Sequence, residues 1–303
     1  MSLRPIFINK SNSLRAGWRI AIFLLLQFSV FAGIASILRL ALAIPEQILM
    51  AVGYVILLGT TFVVLRIVDH RAFRSVGLSF HQRLGLEWAQ GVLISVFMIS
   101  AVFVVEYVSG YAHVTWRGQN LGSIASGLLL MLLAFLWFGF GEELLFRGYF
   151  FQTLIEGTNQ YIAIIVLSVG FGYAHIINPN VTLLSTVNTV IAGVWLSVAY
   201  LKTRTLWFPT ALHATWNFFQ GYVYSFPVSG LNLGERSLFS LRQTGPDWIT
   251  GGAYGPEGGI LSTLVLVLGT VYIVLSPSIR IGEGVWVLKP QAIPQSESSQ
   301  LQS

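Results

Sequence analysis

The sequence predicts an all-α polytopic membrane protein of about eight transmembrane helices, and three observations lead there. Hydrophobic residues fill 54% of the 303 positions and charged residues only 10%. Mean hydropathy is +0.72. Apolar runs close to the ~20 residues that cross a bilayer core recur from Trp18 to Leu275. A chain so poor in charge cannot clothe a water-exposed globule. No charged or low-complexity block divides the runs, so a single membrane domain over residues 18–276 is expected. The net charge of +5 is scattered in short loops, which reads as topology signals and speaks against nucleic acid. With no cysteine, disulfides, thiolate metal sites and a cysteine nucleophile are excluded.

The first run, Trp18 to Leu38, follows a segment, residues 1–17, that carries Arg4, Lys10 and Arg15. No small-residue cleavage site comes after it, so a retained span behind a cytoplasmic N-terminal segment is expected. The later runs are Gln47 to Val68, Leu86 to Val108, Leu121 to Gly148, Tyr161 to Ile176, Val181 to Leu201, Leu206 to Tyr224 and Gly259 to Leu275. With the N-terminus inside, thirteen of the seventeen Lys and Arg fall on the inner side, as the positive-inside rule requires. Both termini are then cytoplasmic. Between the second and third runs, Arg66 to Arg83 sets four arginines around Phe73, Val76, Leu78 and Phe80, the pattern of an interfacial segment. The long outer loop, Phe226 to Gly258, is rich in Gly and Pro and is placed to cover the outer face. Residues 277–303 form a polar tail, too poor in apolar side chains after Lys289 to fold alone.

Ionisable groups inside spans cost a few kcal/mol each, so they mark function. The fourth run reads Gly141-Glu142-Glu143-Leu144-Leu145-Phe146-Arg147. On a helix Glu143 and Arg147 share a face, four residues apart, and Glu142 is rotated by about 100°. Glu143 can be neutralised by Arg147. Glu142 has no cation in sequence reach, and burial beside a second carboxylate readies it to take a proton from water. Glu156-Gly157-Thr158-Asn159 reads as a turn midway between Glu142 and His175, so a helical hairpin brings the two level around one water. In the seventh run His213 and Asn217 stand at i and i+4, two neutral donors facing one way as an oxyanion site requires.

Plainer readings stand beside these. Glu143 with Arg147 also suits a structural ion pair, and either histidine alone suits a hydrogen-bonded packing residue. Asn188 reads as interhelical glue. His70, His81 and His113 fall in loops or at span ends, where solvation is the ordinary explanation, and Trp207, Trp216 and Trp248 fit aromatic belts.

Three separated motifs, Glu142-Glu143-x-x-x-Arg147, Phe171-x-x-x-His175, and His213-x-x-x-Asn217 preceded by Leu206-Trp207-x-Pro209, carry a family likeness. In order and interval the sequence resembles the CPBP family, the CAAX prenyl protease and bacteriocin-processing proteins, also called the Abi family of intramembrane endopeptidases. Weaker similarity runs from Leu14-Arg15-Ala16-Gly17-Trp18 through Ser75-Val76-Gly77-Leu78 to Gly245-Pro246-Asp247-Trp248 and Gly255-Pro256-Glu257-Gly258. The resemblance implies a protease domain with core motifs between 121 and 224, and a conical cavity open to the cytosol. Glu142 would activate water with His175, His213 and Asn217 would stabilise the oxyanion, and Glu143 with Arg147 would hold the site in shape. No position departs from the motifs.

The expected partners are membrane lipid and a membrane-bound or lipidated peptide, and no cofactor is expected. One alternative is a zinc-dependent protease holding its metal through Glu142, His175 and His213, although no H-E-x-x-H pattern is present. Another is a non-catalytic bacteriocin-immunity scaffold or a transporter, since buried carboxylates and histidines also suit proton relays. No inverted repeat supports transport. A bacterial inner membrane is the expected location.

Overall fold

In the absence of water, every backbone group of an apolar run must find its partner within the run, so each run becomes helix. The structure, a computed structural model, describes residues 4–9, 13–232 and 236–285. The end of the expected polar tail and parts of the N-terminal segment lie outside the described residues.

In chain order the helices longer than one turn are α1 (Ala16–Leu42), α2 (Glu46–Ile67), α3 (Leu84–Val108), α4 (Leu121–Glu143), α5 (Tyr149–Gly157), α6 (Gln160–Ala174), α7 (Leu183–Thr203), α8 (Trp207–Phe218) and α9 (Ile260–Leu275). A π-turn, Leu144–Gly148, joins α4 to α5, and a second, Phe219–Val223, extends α8. Among the described residues five helical rods are long and apolar enough to cross a membrane: α1, α2, α3, the α4–α5 rod Leu121–Gly157, and α7. Two apolar helices, α6 and α9, are shorter. The protein is thus an all-α polytopic membrane protein, and its helices stand where the eight apolar runs stood. The fourth run continues nine residues past its expected end at Gly148, to Gly157, because the π-turn keeps the backbone hydrogen-bonded where the apolar pattern breaks.

Local chemistry sets the helix starts. Asn159 Oδ1 accepts from the backbone N–H of Tyr161 and Ile162, both at 3.0 Å, which lets α6 begin with only Thr158 and Asn159 between it and the end of α5. Thr182 and Ser185 form a reciprocal capping box at the start of α7. Small residues then allow close packing of α6 on α7: a Cβ on Gly193 would stand 2.7 Å from Ser168 Cα. Phe23, Leu57, Phe151 and Tyr200 belong to one buried cluster, and Ile99, Trp195, Leu212 and Leu266 to another. Leu25, Phe28, Ile37 and Leu40 of α1 face outward, as a lipid-contacting helix should.

At the basic end, Arg19 of α1 joins Asp69 (2.6 Å) and Glu156 of α5 (2.7 Å), and Arg71 also pairs with Glu156. The segment between α2 and α3 is more deeply seated than an interfacial strip: Val76 and Leu78 are buried in the core, and Gly77 O accepts from Leu206 N. His81 departs from the solvated expectation. Its side chain is buried, with Nε2 3.2 Å from Glu87.

The opposite end holds the long loop and a feature absent from the sequence reading, the antiparallel pair β1 (Ala112–Trp116) and β2 (Phe239–Gln243). Gln243 Nε2 donates to Glu106 Oε2 at 3.0 Å, tying this small sheet to the end of α3.

Candidate active site

Glu142 and Glu143 close α4, and Arg147 follows inside the π-turn. Glu143 and Arg147 are fully buried, so each must be paired where it stands. Arg147 Nη1 donates to Glu143 Oε1 at 3.1 Å and Nη2 to Gly193 O at 2.9 Å. Its guanidinium lies 4.8 Å from the centroid of the Phe171 ring. One arginine thereby links α4, α6 and α7.

His213 comes from α8, whose Pro209 sits in the first turn, where a missing N–H breaks no helical bond. Its Nδ1 stands 2.9 Å from Glu143 Oε1. Glu143 already accepts from Arg147, so the shared proton belongs to Nδ1. The expectation of a neutral donor at Nε2 therefore changes: with Nδ1 protonated, Nε2 donates only when the ring is an imidazolium. That nitrogen faces Glu142 Oε2 at 3.8 Å, beyond hydrogen-bond range. Glu142 Oε2 is itself buried without a protein hydrogen-bond partner. Glu142 thus faces a ring that becomes a cation when Nε2 is protonated, supplied by a helix 71 positions away in sequence rather than by its own.

His175 caps the C-terminus of α6, and its Nδ1 lies 2.8 Å from Phe171 O. A carbonyl only accepts, so Nδ1 carries the proton and Nε2 is left for other contacts. His175, His213 and Asn217 line one cavity of about 40 Å³, together with Trp195, Trp216 and Glu257. That volume holds about three waters at ~10–15 Å³ each. Glu142 is not among the residues that line it. The structure thus groups the six residues in two linked sets: Glu142, Glu143, Arg147 and His213 in a ladder, and His175, His213 and Asn217 around the cavity. His213 belongs to both.

Among the described residues no three His, Asp or Glu side chains converge to hold a metal ion, so the alternative ligand set Glu142, His175 and His213 is not assembled. Asn188 behaves as interhelical glue: its Nδ2 donates to Glu257 O and Gly259 O, both at 2.8 Å, and Thr263 Oγ1 donates to its Oδ1 at 2.6 Å. Trp216 is buried in the cavity wall and Trp207 Nε1 donates to Ser79 O at 2.9 Å, while Trp248 is exposed. Sequence reasoning passed over Glu257. Its one signal was a carboxylate inside Gly255-Pro256-Glu257-Gly258, which reads as a turn.

Fold and site together define a polytopic helical membrane protein with a carboxylate–histidine centre recessed among its spans. Residues 124–219 match the family model described as Type II CAAX prenyl endopeptidase Rce1-like, a segment that contains all six motif residues. Putative membrane peptidase YdiL of Bacillus subtilis (strain 168) is 25% identical over 250 residues, 77% of this chain and 95% of that protein. The motif resemblance is borne out as a similarity: over its motif segment the chain is similar to the Rce1-like CAAX prenyl endopeptidases, and over most of its length, more weakly, to a putative membrane peptidase.

Proposed function

We propose that the chain is an intramembrane endopeptidase that hydrolyses a peptide bond of a membrane-associated or lipidated, CAAX-type protein with a water activated by Glu142. The observation that carries this reading is the unequal treatment of two adjacent carboxylates. Each keeps one oxygen with no protein hydrogen bond, but Glu143 is fully buried with its Oε1 committed to Arg147 and His213, whereas the Glu142 side chain is 22% exposed and stands 3.8 Å from the His213 ring. A structural ion pair needs only the first.

In this mechanism Glu142 takes a proton as the water oxygen adds to the peptide carbonyl carbon. The carbonyl electrons move to oxygen, and Asn217 and the imidazolium of His213 donate to that oxyanion in a site from which bulk water is largely excluded. Collapse of the tetrahedral adduct expels the amine, which leaves with the proton held by Glu142. His175 completes the polar wall of the cavity beyond His213. Glu143 and Arg147 touch no substrate; they fix His213. No step uses a metal or other cofactor.

The basic end is assigned to the cytoplasm, with both termini, in a bacterial inner membrane. Ser229 and Glu257 wall the cavity from the long loop at the other end, which leaves the cytoplasmic side and the lipid-facing flank for substrate. The test is quantitative membrane proteomics of cells carrying the intact chain or Glu142→Gln. Peptides whose termini depend on Glu142 name the substrate; identical termini in both cell lines reject the proposal.

A further inference from the structure

The cavity wall contains a carboxylate that no step above uses. Glu257 sits on a 3-10 turn, Pro256–Gly258, just before α9, and faces the same cavity as His175. Its Oε2 accepts from both Ser229 N (2.5 Å) and Ser229 Oγ (2.9 Å), so that oxygen is an acceptor held in one place. The turn is fixed from behind by Asn188. It is also locked at Gly255, where φ is +96° and a Cβ would stand 2.1 Å from Pro227 O, so only glycine can take this path. A carboxylate delivered this firmly into a cavity needs a counter-charge. Among the described residues no Lys or Arg lines the cavity, and its two histidines are His175 and His213. His213 is already bonded to Glu143. His175 is the one left.

We propose that Glu257 is the positioning carboxylate of His175, balancing the charge of the ring when Nε2 carries a proton and so letting that nitrogen donate to water or to the reacting carbonyl. The catalytic clause rests on the protease reading; the pairing does not. Because Phe171 O holds the Nδ1 proton, a donor at Nε2 exists only in the charged ring, which is why a partner is needed. Burial raises the Glu257 carboxyl above the ordinary carboxylate range, and the Ser229 bonds, the charge of His175 and a bond from Gln220 offset only part of that rise. The other ionisable neighbours are His213 across the cavity, Tyr254 beside Glu257, and Arg147 on the far side of the Phe171 ring. Glu143 holds His213 through a direct bond of 2.9 Å, whereas Glu257 would act on His175 across the cavity they share.

The test compares wild type, Glu257→Gln and Glu257→Asp as full-length chains in detergent micelles. Diethyl pyrocarbonate attacks only the uncharged ring, and mass spectrometry reads its rate at His175 against exposed His113 as an internal standard. Glu257→Gln is expected to raise that ratio about three- to tenfold near neutral pH, and Glu257→Asp to leave it near wild type. The amide keeps an oxygen for the Ser229 bonds, so a merely structural role predicts no change, and equal ratios in wild type and Glu257→Gln overturn the pairing. A quenched, farnesylated CAAX peptide serves for activity. There Glu257→Gln should lower kcat about tenfold or more with little change in KM, and Glu257→Asp should restore most of it. Full kcat in Glu257→Gln overturns the catalytic clause. A wild-type chain that fails to cleave the peptide counts against the protease reading, and the modification ratio still decides the pair.

Discussion

Replacing Arg147 by methionine tests whether the buried ladder holds the fold. Methionine keeps most of the volume and removes the charge, leaving Glu143, itself fully buried, with His213 as its hydrogen-bond partner. Breaking a buried pair from one side costs about 3–5 kcal/mol, and the surviving His213 bond favours the lower end of that range. Loss of the bond to Gly193 O adds about 1 kcal/mol. The sum, about 4 kcal/mol, corresponds to a fall in Tm of roughly 10 °C for a chain of this size. With nine tryptophans and no cysteine, intrinsic fluorescence during heating in micelles is the natural assay. The double variant Glu143→Gln with Arg147→Met should recover half or more of the loss, because no stranded carboxylate remains. A single variant melting within about 2 °C of wild type, or a double variant worse than the single, refutes the reasoning.

Other expectations are as direct. Glu142→Gln should lower peptide cleavage by about 10²–10⁴ at unchanged Tm; activity near wild type would remove the proposed base. Asn217→Ala should reduce kcat by about 10²–10³ with KM nearly constant, and a change confined to KM would reassign it to substrate binding. Gly193→Ala should destabilise by about 1–3 kcal/mol, since its Cβ would press on Ser168 Cα at 2.7 Å. Gly170→Ala, whose Cβ would meet only the Phe146 ring at 3.9 Å, should be silent in the same melting experiment. Cleavage should persist after dialysis against a strong chelator. Loss of activity that zinc restores would reject the metal-free route.

Hydropathy made the helical layout legible because lipid punishes every unpaired backbone group alike, and nothing else in the sequence imposes so uniform a rule. The polar residues stood out for the same reason, and the four-residue interval of Glu143 and Arg147 was enough to foresee their contact. What could not be foreseen came from distance in sequence. His213 meets Glu143 across 70 positions, and β1 meets β2 across more than 120. No local pattern encodes either. The tautomers of His175 and His213 were hidden too, since they depend on which acceptor each Nδ1 meets. Glu257 was obscured differently: its neighbours are the glycines and proline of a turn, and a carboxylate in such company ordinarily faces water.

The π-turns Leu144–Gly148 and Phe219–Val223 make the chain sensitive to its length. Each accommodates one residue more than an α-helical turn would, so the helix beyond it is rotated by about 100° relative to uninterrupted α-helix. Deleting a single residue between Leu144 and Gly148 would let the rod relax to regular winding. Phe151 and Gln152 would then swing off their neighbours, and Glu156 away from Arg19. A chain that tolerates conservative changes along its lipid-facing surface should therefore be intolerant of length changes at two short stretches, each within one turn of a site residue.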